Sequence, residues 1–292
     1  MWCNWNGELV EELSLSKDNR SFRYGDGLFE SMRIFNGEIF NQAAHEKRLL
    51  EALKVLQLRL QCPVSELFQQ LQKLLKSNHV TEGGKARITI SRVDGGKYAP
   101  ISNNANYLIE GEPLASNTFV LNTNGLKVGV YKEHLKPMTV LSTIKTNNAL
   151  LYVLASIYMQ KQAWDDTLLL NTDGRLAEGS SSNLFVVKNG ELLTPPLSEG
   201  PLAGTMRSFI LQYFDVREAV VTETDFTNSD EAFLSNSHGI RWIFGKENQV
   251  SQKVISKLVS NTLYSLGELS IESCCHTYMA VLVPFFLPLS ML

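Results

Sequence analysis

Three dipeptides constrain this chain more than any other feature: Asn36-Gly37, Asp173-Gly174 and Asn189-Gly190. Each lies between apolar-rich runs, in FESMRIFNGEIFN (29–41), DTLLLNTDGRLAEG (166–179) and NLFVVKNGELLTP (183–195). Asn-Gly and Asp-Gly suit the type I′ turn, whose two central residues need positive φ, so each pair signals a β-hairpin. The last two segments adjoin, which predicts a meander of three or four antiparallel strands with Glu178 at the end of its second strand. Helical spacing alternates with these hairpins. In NQAAHEKRLLEALKVLQL (41–58), Leu49, Leu53 and Leu56 recur on one face, His45 lies one turn earlier, and Asn41 is placed to cap. TNNALLYVLASIYMQKQAW (146–164) reads as a long apolar helix capped by Asn147 or Asn148, and GTMRSFILQYF as a helix starting after Gly204. Hairpins mixed with helices predict an α+β or α/β fold.

A length of 292 residues suits two domains. The polar, turn-rich stretch 111–125 marks the division, which gives an N-terminal α+β domain (1–112), a linker (113–125), a C-terminal α/β domain (126–272) and an apolar tail (273–292). Net charge is −3 and no basic run is present, which argues against nucleic acid or an anionic membrane as partner. Four cysteines without a C-x-x-C pair argue against a zinc ribbon and fit a reducing cytoplasm, and no metal site is expected. The N-terminal MWCNWNGELVEEL lacks the basic and apolar regions of a signal peptide. The tail TYMAVLVPFFLPLSML (277–292) is short for a membrane span and is interrupted by Pro284 and Pro288, so it reads as a docking segment rather than an anchor.

Five residues suggest chemistry. Lys145 in STIKTNN immediately precedes the helix expected from 146, where the helix dipole and apolar neighbours would both lower its pKa and favour imine formation. Arg48, one turn from His45 in HEKRL, presents a guanidinium that suits a phosphate. Gly204-Thr205 in AGTMR puts free backbone N–H groups at a helix start, and Ser237 in LSNSHGI adds a hydroxyl. Glu178 in AEGSSSNLF is a carboxylate beside small residues, which leave room for a flat ring whose nitrogen the acid keeps protonated. Taken singly, each is read more simply as a surface or turn residue. Together they describe a site for pyridoxal 5′-phosphate.

At these residues the sequence resembles the class IV aminotransferases, the fold type IV pyridoxal-phosphate enzymes. These include branched-chain and D-amino acid aminotransferases and aminodeoxychorismate lyases. The matching blocks are RYGDGLFESMRIFNG (23–37), HEKRL (45–49), IKTNN (144–148), LAEGSSSNLF (176–185), PLAGTMR (201–207) and DEAFLSNS (230–237), in the family's order. The resemblance implies a D-amino acid aminotransferase-like fold of two α/β domains with the cofactor between them, in a homodimer. It implies that Lys145 carries the cofactor as a Schiff base and moves the substrate proton, and that Glu178 faces the ring nitrogen. It also implies that Arg48, Thr205 and Ser237 hold the phosphate.

The branch is mixed. Phe29-Glu30 resembles the branched-chain enzymes, but their tyrosine five residues after the lysine is Leu150 here, as in the lyases and D-amino acid enzymes. SSSN resembles the D-amino acid enzymes, whose Arg-x-His carboxylate trap is not visible in SRVDGGKYAPISNN (91–104). SRVDGGKY itself resembles the lyase pattern, and Arg87 and Arg92 are the nearest candidates for a substrate carboxylate. The expected activity is transfer of an amino group between a branched-chain-like amino acid and a 2-oxo acid. The alternative is cleavage of 4-amino-4-deoxychorismate to 4-aminobenzoate and pyruvate. Two remoter readings are a non-catalytic binding module and a serine–lysine hydrolase built on the S-x-x-K of Ser142 and Lys145.

Overall fold

The computed structural model describes residues 1–245 and 249–264. Its first six strands are β1 (Cys3–Trp5), β2 (Glu8–Val10), β3 (Gly27–Phe35), β4 (Glu38–Ile39), β5 (Gly84–Arg92) and β6 (Ala105–Pro113). They form one sheet in the order β2-β1-β6-β5-β3-β4. The short helix α1 (Arg20–Tyr24) leads into it, and α2 (Gln42–Val55) and α3 (Val64–Ser77) cover one face. The β3–β4 hairpin turns at Asn36 (φ 46°) and Gly37 (φ 74°), as the Asn-Gly signal required. On α2, His45, Leu49 and Leu53 are buried together. Asn41 does not cap this helix; its own φ is positive, and its amide donates to the Thr205 carbonyl at 3.1 Å. On α3, Leu67, Phe68, Leu71, Leu74 and Leu75 bury a continuous stripe against the sheet.

Two further sheets follow. Strands β7 (Val128–Lys136), β8 (Asp166–Asn171) and β9 (Leu176–Gly179) form a three-stranded sheet in that order, with β7 parallel to β8. Strands β10 (Asn183–Lys188), β11 (Glu191–Thr194), β12 (Val216–Glu218), β13 (Glu231–Asn236) and β14 (Gly239–Gly245) form a five-stranded sheet ordered β12-β11-β10-β13-β14. The two downstream hairpins form, with the expected positive φ at Asn189 and Gly190 but only at Gly174 of Asp173-Gly174, and they do not join into one meander. The reason lies in the partners of β10: β11 takes one edge and β13 takes the other over Asn183–Val187, leaving no edge for β9.

The remaining helices are α4 (Leu150–Lys161), α5 (Thr205–Tyr213), α6 (Glu223–Thr227) and α7 (Gln249–Tyr264). The apolar helix expected from residue 146 begins only at Leu150, and no side chain caps it. Residues 144–147 are instead drawn into the edge of β3. Phe29 N–H donates to the Lys145 carbonyl, Asn147 N–H donates to the Gly27 carbonyl, both at 2.9 Å, and Leu28 bridges Thr146. Gly27 is obligatory there, since a Cβ would lie 2.3 Å from the Ile90 carbonyl oxygen. The polar stretch after β6 carries a core residue of its own. Phe119 is buried against Phe35 and Phe40, at ring-centroid distances of 4.5 and 5.1 Å. Among the described residues, no helix is long and apolar enough to cross a membrane; the apolar tail 273–292 lies outside them.

Candidate active site

A cleft of about 980 Å³ opens between the six-stranded sheet and the two downstream sheets, and Phe29, Arg48, Lys145, Glu178, Thr205 and Ser237 all line it. Lys145 enters from the extended segment beside β3, not from a helix start. The helix dipole is therefore not what perturbs it. Burial is the main cause and the Arg48 guanidinium the next, and together they bring its pKa down to about 8 despite the opposing charges of Glu30 and Glu178. Its Nζ lies 4.4 Å from the centroid of the Phe29 ring, and the Arg87 guanidinium lies 3.7 Å from the same centroid.

Arg48 is held by a buried acid that sequence reasoning noted only for its family likeness. Its Nε and Nη2 donate to Glu30 Oε1 and Oε2 at 2.8 and 2.6 Å, and Nη1 donates to the Ala203 carbonyl at 3.0 Å. Five guanidinium N–H groups are available, so this fork leaves two for a ligand. His45 Nδ1 lies 2.7 Å from Glu30 Oε2. Burial lowers the His45 pKa, so the ring is neutral and its Nδ1–H donates to the carboxylate. Burial disfavours ionised Glu30, but the Arg48 charge and the hydrogen bonds from His45 and Arg48 outweigh it and hold the carboxyl at about 2.

Glu178 sits on β9, buried, with both oxygens engaged. Oε2 accepts the Leu202 N–H at 2.9 Å and the Asn183 amide at 3.5 Å. Oε1 accepts the Tyr152 hydroxyl at 2.7 Å and pairs with Lys136 Nζ. Sequence reasoning missed both Lys136 and Tyr152. It sought a tyrosine five residues beyond Lys145, where Leu150 faces outward; Tyr152, two residues later on α4, turns back to the acid. Nothing in the sequence around Lys136 distinguishes it from a surface lysine.

The three serines after Glu178 are fastened from behind. Ser180 Oγ donates to Asp166 at 2.7 Å, and the Asn236 amide donates to Ser182 Oγ at 3.0 Å and to the Ser181 carbonyl at 3.3 Å. Thr205 is the first residue of α5, which has no side-chain cap; Gly204 before it is needed because a Cβ would lie 1.9 Å from Asn183 Oδ1. Nearby Ser235 lines the cleft with a buried hydroxyl that has no hydrogen-bond partner among the described residues. An uncapped helix start, an unsatisfied buried hydroxyl and two spare Arg48 donors fit a phosphate, and the acid fits a ring nitrogen.

The other sequence candidates separate. Arg92 lines the cleft, but its donors go to Asp26 (3.0 and 3.2 Å), Asn103 (2.6 Å) and the Leu56 carbonyl (2.7 Å). Arg87 gives Nε to Thr89 at 3.0 Å, and its terminal nitrogens have no acceptor among the described residues. Ser142 lies within a 3-10 turn (Val140–Thr143) and donates its hydroxyl to the Pro137 carbonyl. Lys145 lies beyond that turn in extended chain, so the one-helix geometry of a serine–lysine hydrolase is not formed.

A family model for amino-transferase class IV matches residues 27–243, and the chain belongs to this family of pyridoxal-phosphate enzymes. It is 29% identical over 232 residues to aminodeoxychorismate lyase of Vibrio harveyi, covering 75% of this chain and 82% of that one. It is 24% identical over 251 residues to branched-chain-amino-acid aminotransferase of Escherichia coli K12, covering 80% of each. The solved branched-chain aminotransferase of Thermoproteus uzoniensis superposes with a TM-score of 0.82 at 23% identity, over 96% of this chain and 97% of that one. The architecture is that of fold type IV.

Proposed function

We propose that this chain moves an amino group between a branched-chain-like amino acid and a 2-oxo acid, with pyridoxal 5′-phosphate held in the cleft. The observation that carries the reading is the convergence of a depressed Lys145 amine, buried Glu178 and Glu30-anchored Arg48 on one cavity. Bound pyridoxal phosphate supplies an electron-accepting ring that stabilises the charge left when a bond at the substrate α-carbon breaks. Lys145 provides the amine that holds the cofactor and then moves the α-proton. Glu178 faces the ring nitrogen, while Arg48, Thr205, Ser237 and the unpaired Ser235 hydroxyl take the phosphate. Arg87 receives the substrate carboxylate, since the Arg92 donors are already engaged, and Phe29 supports the Lys145 and Arg87 cations on its ring. The likeness to the Vibrio harveyi enzyme and the SRVDGGKY segment favour aminodeoxychorismate lyase activity as the second reading.

We further read residues 1–112 and 126–272 as two domains joined by 113–125, because the first sheet lies wholly within Cys3–Pro113 and the others within Val128–Gly245. A homodimer is supported by the outer face of α4, where Leu150, Val153, Leu154 and Ile157 are between 42% and 69% exposed. The free Cys3 and Cys62 thiols agree with a reducing, cytoplasmic setting. The test is the visible spectrum of protein loaded with pyridoxal phosphate. A band lost in Lys145→Ala is expected. L-Isoleucine or D-alanine should bleach the band with release of a 2-oxo acid and reveal the handedness; release of 4-aminobenzoate from aminodeoxychorismate would establish the lyase instead. A protein that stays colourless with added pyridoxal phosphate would overturn both.

A further inference from the structure

Glu178 is one half of a buried ion pair. The side chains of Glu178 and of Lys136, the last residue of β7, are each 3% exposed. Lys136 Nζ donates to Glu178 Oε1, to the Tyr152 hydroxyl at 2.7 Å and to the Ser142 carbonyl at 3.4 Å. The Tyr152 hydroxyl donates in turn to Oε1, so ammonium, phenol and carboxylate close a triangle. Burial and the Glu178 charge raise the Tyr152 pKa, which keeps the phenol a neutral donor. With the Leu202 N–H and the Asn183 amide on Oε2, four donors surround one carboxylate, and one of them carries a full charge.

That charge matters more than the hydrogen bond. A carboxylate away from water holds a nearby proton strongly, because the attraction is weakly screened. An ammonium on the same carboxylate cancels much of that field and repels any further cation brought to it. Among the described residues, Lys136 has no other acidic partner. The other charged or titratable groups lining the cleft include Lys145, Arg48, Arg20, Asp26, Arg92 and His238, with Glu30 and Arg87 beyond Lys145.

We propose that Lys136 is a positioning residue that orients Glu178 while weakening its hold on the ring-nitrogen proton of the cofactor. The inference rests on the reading that Glu178 faces that nitrogen. This chain's ring end is thus a neutral pair, tuned by a lysine and a tyrosine, rather than a lone acid.

The experiment loads the full chain with pyridoxal 5′-phosphate labelled with nitrogen-15 in the ring and follows the ring-nitrogen NMR shift against pH. Lys136→Met should raise the titration midpoint by about 1–2 pH units, the effect of one nearby charge in a partly screened site. Lys136→Gln, which keeps a donor without the charge, should raise it similarly, and serves if the Met variant does not fold. Lys136→Arg should restore the wild-type midpoint. Tyr152→Phe, which removes one donor from Oε1 and keeps the charge, should move the midpoint in the same direction by less. A wild-type midpoint in both Lys136→Met and Lys136→Gln overturns the inference, as does an Arg variant that shifts as far as the uncharged ones. Glu178→Gln separates the two readings. If it leaves the nitrogen unmoved, the acid does not face the ring and both fail. If it lowers the midpoint while the uncharged Lys136 variants do not raise it, only the Lys136 inference fails.

Discussion

The proposed chemistry turns on the Lys145 amine, whose protonation is measurable in protein without cofactor. Burial and then Arg48 bring its pKa to about 8 from an ordinary 10.5. At pH 7 about a tenth of such an amine is neutral, against roughly one part in 3,000 for an unperturbed lysine. Lys145 should therefore present roughly 300-fold more of the reactive form than its ordinary pKa would give. The assay is trace acylation across pH of about 6 to 11, with the Lys145 peptide quantified by mass spectrometry against exposed Lys47 as internal standard. Two variants should move the midpoint in opposite directions. Arg48→Met removes a neighbouring cation and should raise it, by roughly one pH unit. Glu30→Gln leaves the Arg48 charge uncompensated and should lower it. Because the folded pKa lies below the unfolded one, stability of the cofactor-free protein should rise as pH increases from about 8 to 10.5. A wild-type midpoint near the ordinary lysine value, or shifts of the same sign in the two variants, would refute the reasoning.

Glu30→Gln should also destabilise the fold by about 3–5 kcal/mol, since it strands a buried guanidinium. The wild-type contribution is complete above pH 4.5 and is lost as pH falls towards about 2, so acid-unfolding curves of the two proteins should converge over that interval. Arg87→Leu should lower kcat/KM for the amino donor about 10- to 100-fold through loss of a charge-assisted hydrogen bond, with cofactor content unchanged in the absorption spectrum. Leu150→Asp, on the outer face of α4, should shift the species seen by sedimentation velocity from dimer to monomer. Phe119→Ala should cost about 3–5 kcal/mol in urea unfolding, because it empties a buried aromatic site against Phe35 and Phe40.

Local chemistry was legible in the sequence wherever a short-range cause sufficed. The hairpin turns at Asn36-Gly37 and Asn189-Gly190 follow from the cheap access of these residues to positive φ, and the start of α5 follows from Gly204. The order of the blocks around Arg48, Lys145, Glu178, Thr205 and Ser237 identified the family, which the match over residues 27–243 shows. Pairings between distant segments were not legible. Whether β9 continues into a meander depends on β13, which lies more than 40 residues downstream and occupies the β10 edge. The extended path of Lys145 depends on the exposed edge of β3, which outcompetes the helix that 146–149 would otherwise extend. The same holds for charge. A sequence shows that Arg92, Arg87, Glu30, Tyr152 and Lys136 exist. Only tertiary structure commits Arg92 to Asp26, leaves the Arg87 terminal nitrogens without an acceptor among the described residues, ties Arg48 to Glu30 and sets Lys136 against Glu178. Propensity acts over a few neighbouring residues, whereas desolvation and ion pairing depend on which side chains the finished fold brings within a few ångströms.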